Sequence, residues 1–519
     1  MDKSLYFGDN LKILRQYIKD ESIDLIYLDP PFNSKADYNL LFQEKNGADS
    51  FAQITAFEDT WSWGEEAEIA YEEIIRIGDT DIVKMISSFK EFIKQNDMMA
   101  YLTMMTIRLI ELKRVLKPSG NIYLHCDPTA SHYLKVIMDS IFGAKNFRNE
   151  IIWCYQSREN TKKRWNRKHD VILFYSKSKD SYFDYTKVVE DLSENTIKKY
   201  RLKDENGRLY RLCGRGIQNS PIKSAKDVAQ EWEDKHPELT VRVYLDEREG
   251  VTSPDWWNIP IITQNAQERL GYPTQKPRAL LEKIILASCP KDGVVLDPFC
   301  GCGTTISACE YLNGNEDYSL KWIGVDITHL AIDLIKKRLD DEYNMKPNRD
   351  YFLYGEPLDL ESAKSLAKQD RYQFQWWALS LVDAKPVSDK KKGADKGIDG
   401  IIFYFDKSDK VSKAIVQVKS GKVKPGDIRD LKGVIGREGV EFGVFITLET
   451  PTKAMIEEAV SEGFFKYELY KNRFPKLQII TIKDLLDGKK PEIPLKMDYR
   501  KNADFVKKKE TTEDLLQSD

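Results

Sequence analysis

The sequence predicts an α/β protein in which a largely parallel sheet carries an irregular insertion and is followed by a second, smaller α/β unit. Three observations predict it. Strand and helix signals alternate through the first third of the chain, the alternation resumes near Tyr272, and two apolar strands end in loops rich in Asp, Pro and Gly. The 519 residues correspond to roughly three or four folding units at about 150 residues each. Hydrophobic residues make up 41% and aromatic residues 11%, enough to build cores and to exclude wholesale disorder. Apolar runs are too short for a membrane helix, and the N-terminus lacks a signal-peptide core. Seven scattered cysteines do not make a disulfide framework, so a reducing cytoplasm is expected.

Each element has its own signal. Ile23–Leu28 reads as a buried strand ending at Asp29-Pro30-Pro31-Phe32. Asp97–Leu116 has helical spacing and stops at Lys117-Pro118-Ser119-Gly120. Strands Asn121–Cys126, Ile151–Tyr155 and Val171–Tyr175 follow. Residues 156–255 are charged and irregular and read as an inserted recognition region, although a plain surface insertion would look similar. They contain the basic run Arg158–His169, which surrounds Trp165. With 80 basic and 83 acidic residues the net charge is -3, so any nucleic-acid contact must come from such local patches. After Tyr272-Pro273-Thr274-Gln275-Lys276-Pro277 come helix Ala279–Ser288, strand Val294–Leu296, the turn Asp297–Thr305, a helix, and strand Trp322–Val325 ending at Asp326. A composition shift at Met345–Asp350 marks a boundary. The expected division is 1–345, a linker at 346–370, a second domain at 371–490, and a charged, partly mobile tail at 491–519. Strands of the second domain are Ile401–Phe405, Ala414–Val418, Phe442–Leu448 and Gln478–Ile482.

Two junctions carry the chemistry. Phe299-Cys300-Gly301-Cys302-Gly303 lies between a strand and a helix, where glycines let the backbone approach a ligand closely. Asp326, about 20 residues on, is placed to accept hydrogen bonds from ribose hydroxyls. Gly303 is followed by Thr304-Thr305 rather than by the third glycine of a pyrophosphate cradle, which favours the phosphate-free S-adenosylmethionine over a dinucleotide. Cys300 and Cys302 have no partner pair of cysteines or histidines nearby and read as structural thiols rather than zinc ligands. At the other junction, the Asp29 carboxylate and the Pro30 carbonyl are suited to accept both hydrogens of an exocyclic amine. Pro30 and Pro31 stiffen that turn, and Phe32 offers a face for a flipped base. In a parallel sheet both junctions open on one edge.

Asp29–Phe32 ahead of the Phe-x-Gly-x-Gly turn resembles the permuted motif order of the β-class amino-methyltransferases of DNA. The resemblance runs from Tyr6 to about Tyr343. Tyr6-Phe7-Gly8-Asp9-Asn10, Arg114–Gly120, Phe142–Trp153 and Thr274–Pro277 resemble further motifs of that family. The resemblance implies a Rossmann-like methyltransferase sheet with S-adenosylmethionine held by Asp9, Lys276, Asp297, Phe299, Gly301, Gly303, Thr304 and Asp326. It implies that Asp29, Pro30, Pro31 and Phe32 are catalytic, that adenine N6 in double-stranded DNA is the acceptor, and that residues 156–255 read the target. The reaction expected is an in-line displacement needing neither a metal nor a covalent intermediate.

In the second domain Gly397-Ile398-Asp399-Gly400 precedes one strand, and Gln417-Val418-Lys419 lies on the next, with Gln417 and Lys419 on one face. Asp399 can hold Mg²⁺ and Lys419 can stabilise charge on a phosphate, although a hairpin with a buried Asp turn has the same pattern. The stretch from about Tyr372 to Phe465 resembles the Mrr-type branch of the PD-(D/E)XK restriction endonucleases. That likeness implies catalytic Asp399, Gln417 and Lys419, with Asp399 as metal ligand and Glu361 or Gln373 as candidates for a further one. Two whole-chain readings follow: a single-chain restriction-modification protein, or a methyltransferase whose C-terminal domain only binds DNA. A methyltransferase acting on protein or a small molecule is a third. Cutting both strands with one site per chain would favour a homodimer. No G-x-x-x-x-G-K-[ST] loop is present, which argues against a translocating subunit.

Overall fold

The computed structural model describes residues 2–31, 37–40, 54–58, 63–156, 161–214, 230–235, 237–248, 250–263, 266–272, 274–387, 397–407, 410–467 and 472–494. Phe32, residues 158–160 of the basic run and the tail beyond 494 lie outside the described residues.

Strands that are apolar on both faces must be covered on both faces. All six residues of Ile23–Leu28 are buried, in a nine-stranded sheet. Its strands are β1 (Ser4–Phe7), β2 (Ile23–Leu28), β3 (Leu116–Cys126), β4 (Phe147–Cys154), β5 (His169–Ser176), β6 (Trp256–Asn258), β7 (Val294–Asp297), β8 (Lys321–Asp326) and β9 (Phe352–Tyr354). They lie in the order β6-β4-β5-β3-β2-β7-β8-β1-β9. Pairing is parallel except where β5 runs antiparallel to β3 and β4. The chain winds one way from β2 to β3 and the other way from β7 to β8, so the crevice lies between β2 and β7. Helices covering the sheet include α1 (Asn10–Tyr17), α2 (Asp97–Val115), α3 (Arg278–Ser288), α4 (Thr304–Asn315) and α5 (His329–Tyr343), with helix Ser131–Phe142 packed beside them. Alternation along β2 sends Ile26 and Leu28 into the core with Met105 and Leu112, and Leu25 and Tyr27 into the core with Ile284 and Trp322.

Three sequence expectations change. The helix ends at Val115 and β3 begins at once, so Lys117–Gly120 continues the strand instead of forming a separate loop. Leu116 pairs opposite Ile23, and Lys117 Nζ bonds Asp24 at 2.7 Å. The 156–255 region is not irregular throughout. Leu202–Lys203, Leu209–Gly214 and Thr240–Tyr244 form a separate antiparallel sheet. These strands are short and interleaved with arginines, two of which lie over Tyr200 and Tyr210, so they carry little apolar periodicity. The expected linker at 346–370 is divided between the domains. Strand β9 pairs with β1, and helix α6 (Leu360–Gln369) buries Ala363 and Ala367 in the second core.

That second domain holds β10 (Lys385–Pro386), β11 (Gly400–Lys407), β12 (Lys410–Lys419), β13 (Phe442–Thr447) and β14 (Leu477–Thr481), in that order across the sheet. The first three are antiparallel and the last three parallel. Helices α6 and α7 (Arg371–Ser380) contribute to one core, and helix Pro425–Glu438 to another. All seven cysteines are free thiols. No helix among the described residues is long and apolar enough to cross a membrane.

Candidate active site

Parallel strands deliver their C-terminal loops to one rim. The loops after β1, β2, β7 and β8, together with Tyr272, Thr274, Gln275 and Lys276, line a cavity of about 1560 Å³ whose wall includes Asp9, Asp29, Pro30, Pro31, Asp297, Phe299, Gly301, Thr304 and Asp326. Gly303 caps α4 immediately behind it.

The glycine turn is built from backbone constraints. Gly301 and Gly303 have φ of +49° and +75°, a region that side chains rarely adopt. A Cβ on Gly303 would lie 2.7 Å from Ile335 Cγ1, and one on Gly301 would lie 3.3 Å from Tyr272 Cε1. Two buried carboxylates brace this turn. Asp326 accepts from Gly301 N at 2.9 Å with one oxygen and from Thr328 N and Oγ1 at 2.8 Å with the other. Asp297 accepts from Thr305 Oγ1 at 2.5 Å and Phe299 N at 3.1 Å. Burial raises the Asp326 carboxyl to about 6 and the Asp297 carboxyl to about 7, against the hydrogen bonds that favour their charged forms.

Asp9 caps α1 by accepting from Lys12 N, and it pairs with Arg108 at 2.8 Å. Arg108 Nε also donates to Asn10 Oδ1 at 2.6 Å, and Asn10 donates to the Pro298 carbonyl at 2.8 Å, which ties the β1 loop to the β7 turn. Sequence reading quoted Asn10 only within a motif and missed Arg108. The signal for Arg108 was a charged residue among the buried positions of its helix, where a cation needs a partner.

The Asp29 carboxylate is held on one side by a lysine and faced on the other by an imidazole. One oxygen pairs with Lys276 Nζ, so the lysine expected against the cofactor sits on the carboxylate. The other oxygen is 4.0 Å from Nδ1 of His125, which is fully buried at the end of β3. Behind that ring lies a chain of polar groups. Tyr27 OH is 2.9 Å from His125 Nδ1, Asp170 is 3.2 Å from His125 Nε2, and Tyr155 OH donates to Asp170 at 3.0 Å. Burial would raise the Asp170 carboxyl, but the His125 hydrogen bond, the charges of His125 and Lys276, and the Tyr155 hydroxyl together hold it below the usual range. Tyr27, His125, Tyr155 and Asp170 were not singled out in the sequence, because strand pairing alone brings them together.

The loop from β4 to β5 leaves the sheet on this rim, since β4 ends and β5 begins there. Its two ends are joined by the Tyr155 N to Lys168 O bond of 3.0 Å. At its tip Trp165 is 96% exposed among Lys162, Lys163, Arg164 and Arg167.

In the second domain the sequence pair assembles differently from a metal site. Asp399 accepts from Val418 N at 2.7 Å with one oxygen and from Gln375 Nε2 at 3.1 Å with the other. Gln417 donates to the Gly397 carbonyl at 2.8 Å, and Lys419 is exposed. Neither candidate for a further ligand joins them: Glu361 pairs with Lys364, and Gln373 Oε1 accepts from His329 N at 3.3 Å. Among the described residues no group of three or more His, Cys, Asp or Glu side chains is arranged to hold a metal ion. Asp399 is the one predicted acidic ligand placed there, and both of its oxygens also accept hydrogen bonds within the protein.

Comparisons with known proteins agree with this division. The DNA methylase family profile matches residues 23–337. Residues 373–487 match the family described as NACHT-associated inactive Restriction Endonuclease 1, so this comparison gives no support to the expected Mrr-type, magnesium-dependent nuclease. The Mod subunit of the type III restriction-modification enzyme StyLTI from Salmonella typhimurium is 26% identical over 344 residues, covering 59% of this chain and 49% of that subunit. The chain therefore spans about half the length of that relative. The type II methyltransferase M.HpaI of Haemophilus parainfluenzae is 24% identical over 360 residues, covering 69% of this chain and 81% of that enzyme. Among solved structures, a DNA modification methylase from Thermus thermophilus complexed with S-adenosyl-L-methionine, described there as putative, is 16% identical. The match covers 68% of this chain and 99% of that one, with a TM-score of 0.33.

Proposed function

The chain belongs to the DNA methylase family, and from that premise we propose that it transfers the methyl group of S-adenosylmethionine to the N6 amine of adenine in double-stranded DNA. The observation that carries this reading is that Asp29, Pro30 and the glycine turn line one cavity although Asp29 and Gly301 are far apart in the chain. Bound at the glycine turn, S-adenosylmethionine supplies an electrophilic methyl carbon. The chain's part is to make a poor nucleophile competent. The Asp29 carboxylate and the Pro30 carbonyl accept the two amine hydrogens, which draws the nitrogen lone pair out of conjugation with the ring. Lys276 holds the carboxylate in place, His125 stands beside it, and Tyr27 and Asp170 hold His125. Such positioning matters because small misplacements of reacting groups cost large factors in rate. The carbon–sulfur bond breaks as the carbon–nitrogen bond forms, and the amine proton leaves by way of Asp29 to solvent.

The basic loop around Trp165 and the sheet at 202–244 are the surfaces we assign to duplex DNA, through phosphate contacts by Lys and Arg. The Asp-first tetrapeptide supports adenine over cytosine, because the resemblance pairs Ser with cytosine N4. For the C-terminal domain we propose a non-cleaving, DNA-binding role, supported by the bonded state of Asp399 and by the inactive family it matches.

Incubating the full chain with labelled S-adenosylmethionine and unmodified duplex DNA tests the reading. Label should appear at adenine N6, and Asp29→Ala should abolish it while cofactor binding survives. Label on protein alone, or on cytosine, would overturn it. With Mg²⁺ added, the DNA should remain intact for both wild type and Lys419→Ala.

A further inference from the structure

The cofactor cavity is not bounded by the methyltransferase domain alone. Its volume of about 1560 Å³ exceeds the roughly 300–1,000 Å³ of ordinary ligand pockets. Part of its wall comes from the C-terminal domain: Ser362, Ser365 and Leu366 of α6, and Asp370, Gln373 and Trp376 at α7. These residues belong to elements that bury their other faces in the second domain's core, where Ala363, Ala367, Phe374 and Trp377 are packed.

We propose that this C-terminal domain is a structural part of the cofactor site: α6 and α7 form the outer wall of the cleft and set how tightly S-adenosylmethionine is held. A short run of hydrogen bonds links the two domains there. Gln373 Oε1 accepts from His329 N at 3.3 Å, in the first turn of α5. The neighbouring Thr328 donates to Asp326, and Asp326 accepts from Gly301 N. Gln373 therefore steadies the turn that presents Asp326, and it acts as a positioning residue. The linking segment is equally constrained. A Cβ on Gly355 would lie 2.1 Å from the Phe7 carbonyl, and Tyr354 stacks on Tyr6 with ring centroids 4.7 Å apart. The chain crossing between the domains is thus pressed against the β1 loop, and the wall is held in place from both ends.

The proposal rests on the cofactor reading above, and the experiment separates the two. Calorimetric titration of the full chain with S-adenosylmethionine gives the wild-type affinity, which that reading requires. Ser365 is exposed on α6 and faces the cleft, whereas Lys368 is exposed on the same helix and does not line it. Ser365→Trp should weaken binding by roughly tenfold or more by filling the cleft, and Lys368→Trp should stay within about twofold of wild type. Gln373→Leu should weaken binding roughly 3- to 10-fold with an unchanged melting temperature. Wild-type affinity in both Ser365→Trp and Gln373→Leu would overturn the proposal and leave the cofactor reading standing. No binding by the wild-type chain would overturn both.

Discussion

Replacing Gly303 by alanine separates two contributions to the cofactor turn. Its φ of +75° is a conformation costing an alanine about 1–2 kcal/mol. The added Cβ also falls 2.7 Å from Cγ1 of the buried Ile335, and overpacking of that kind costs about 1–3 kcal/mol. Together, Gly303→Ala should destabilise the first domain by about 2–5 kcal/mol and weaken S-adenosylmethionine binding, since the turn would shift away from Asp326. Equilibrium urea unfolding of the full chain, with and without cofactor, measures both effects. A double-mutant cycle with Ile335→Ala then divides the loss. The alanine at 335 removes the atom that collides, so the steric share should reappear as a favourable coupling of about 1–3 kcal/mol. The backbone share should remain. If Gly303→Ala lies within about 0.5 kcal/mol of wild type, the turn is not under the constraint described, and the argument from close backbone approach fails.

Three further outcomes are expected. His125→Ala should lower the methylation rate by about 10- to 100-fold with little change in cofactor affinity, because its ring backs Asp29 and not the glycine turn; equal losses in rate and affinity would contradict this. Arg108→Met leaves the half-exposed Asp9 carboxylate without its ion-pair partner and should cost about 1–3 kcal/mol by chemical denaturation, whereas a loss below about 0.5 kcal/mol would place the pair among weak surface bridges. Asp297 titrates near 7 in the folded chain against an ordinary value of 3.8, so its folded form binds a proton more readily than its unfolded form. Its contribution to stability is complete below about pH 4 and is lost as pH rises towards 7. Asp297→Asn should flatten that part of the pH–stability profile, and an unchanged slope would show that Asp297 does not titrate there.

Much of the site is legible in the sequence because its parts are local. A buried strand followed by Asp29-Pro30-Pro31, or by a turn with glycines at 301 and 303, needs only short-range sterics and side-chain chemistry to be recognised. Strand Ile23–Leu28 has the bounds read from the sequence, and Val294–Asp297 and Lys321–Asp326 differ by only one residue at an end. Less was legible where patterning is weak. The three strands between 202 and 244 are short and charged, and the three residues of β9 are too few to show a period.

By itself, the sequence pointed to the loops that line the cavity, the kinds of atom they present, and an α/β fold, since these follow from patterns within about ten residues. Only the tertiary structure decided which atoms meet. It placed Lys276 on Asp29, stood His125 and Asp170 behind that carboxylate, used both oxygens of Asp399 within the protein, and set α6 and α7 against the cofactor cleft. Strand order and register make these contacts between residues remote in the chain, and neither leaves a mark on the local composition from which sequence reasoning works.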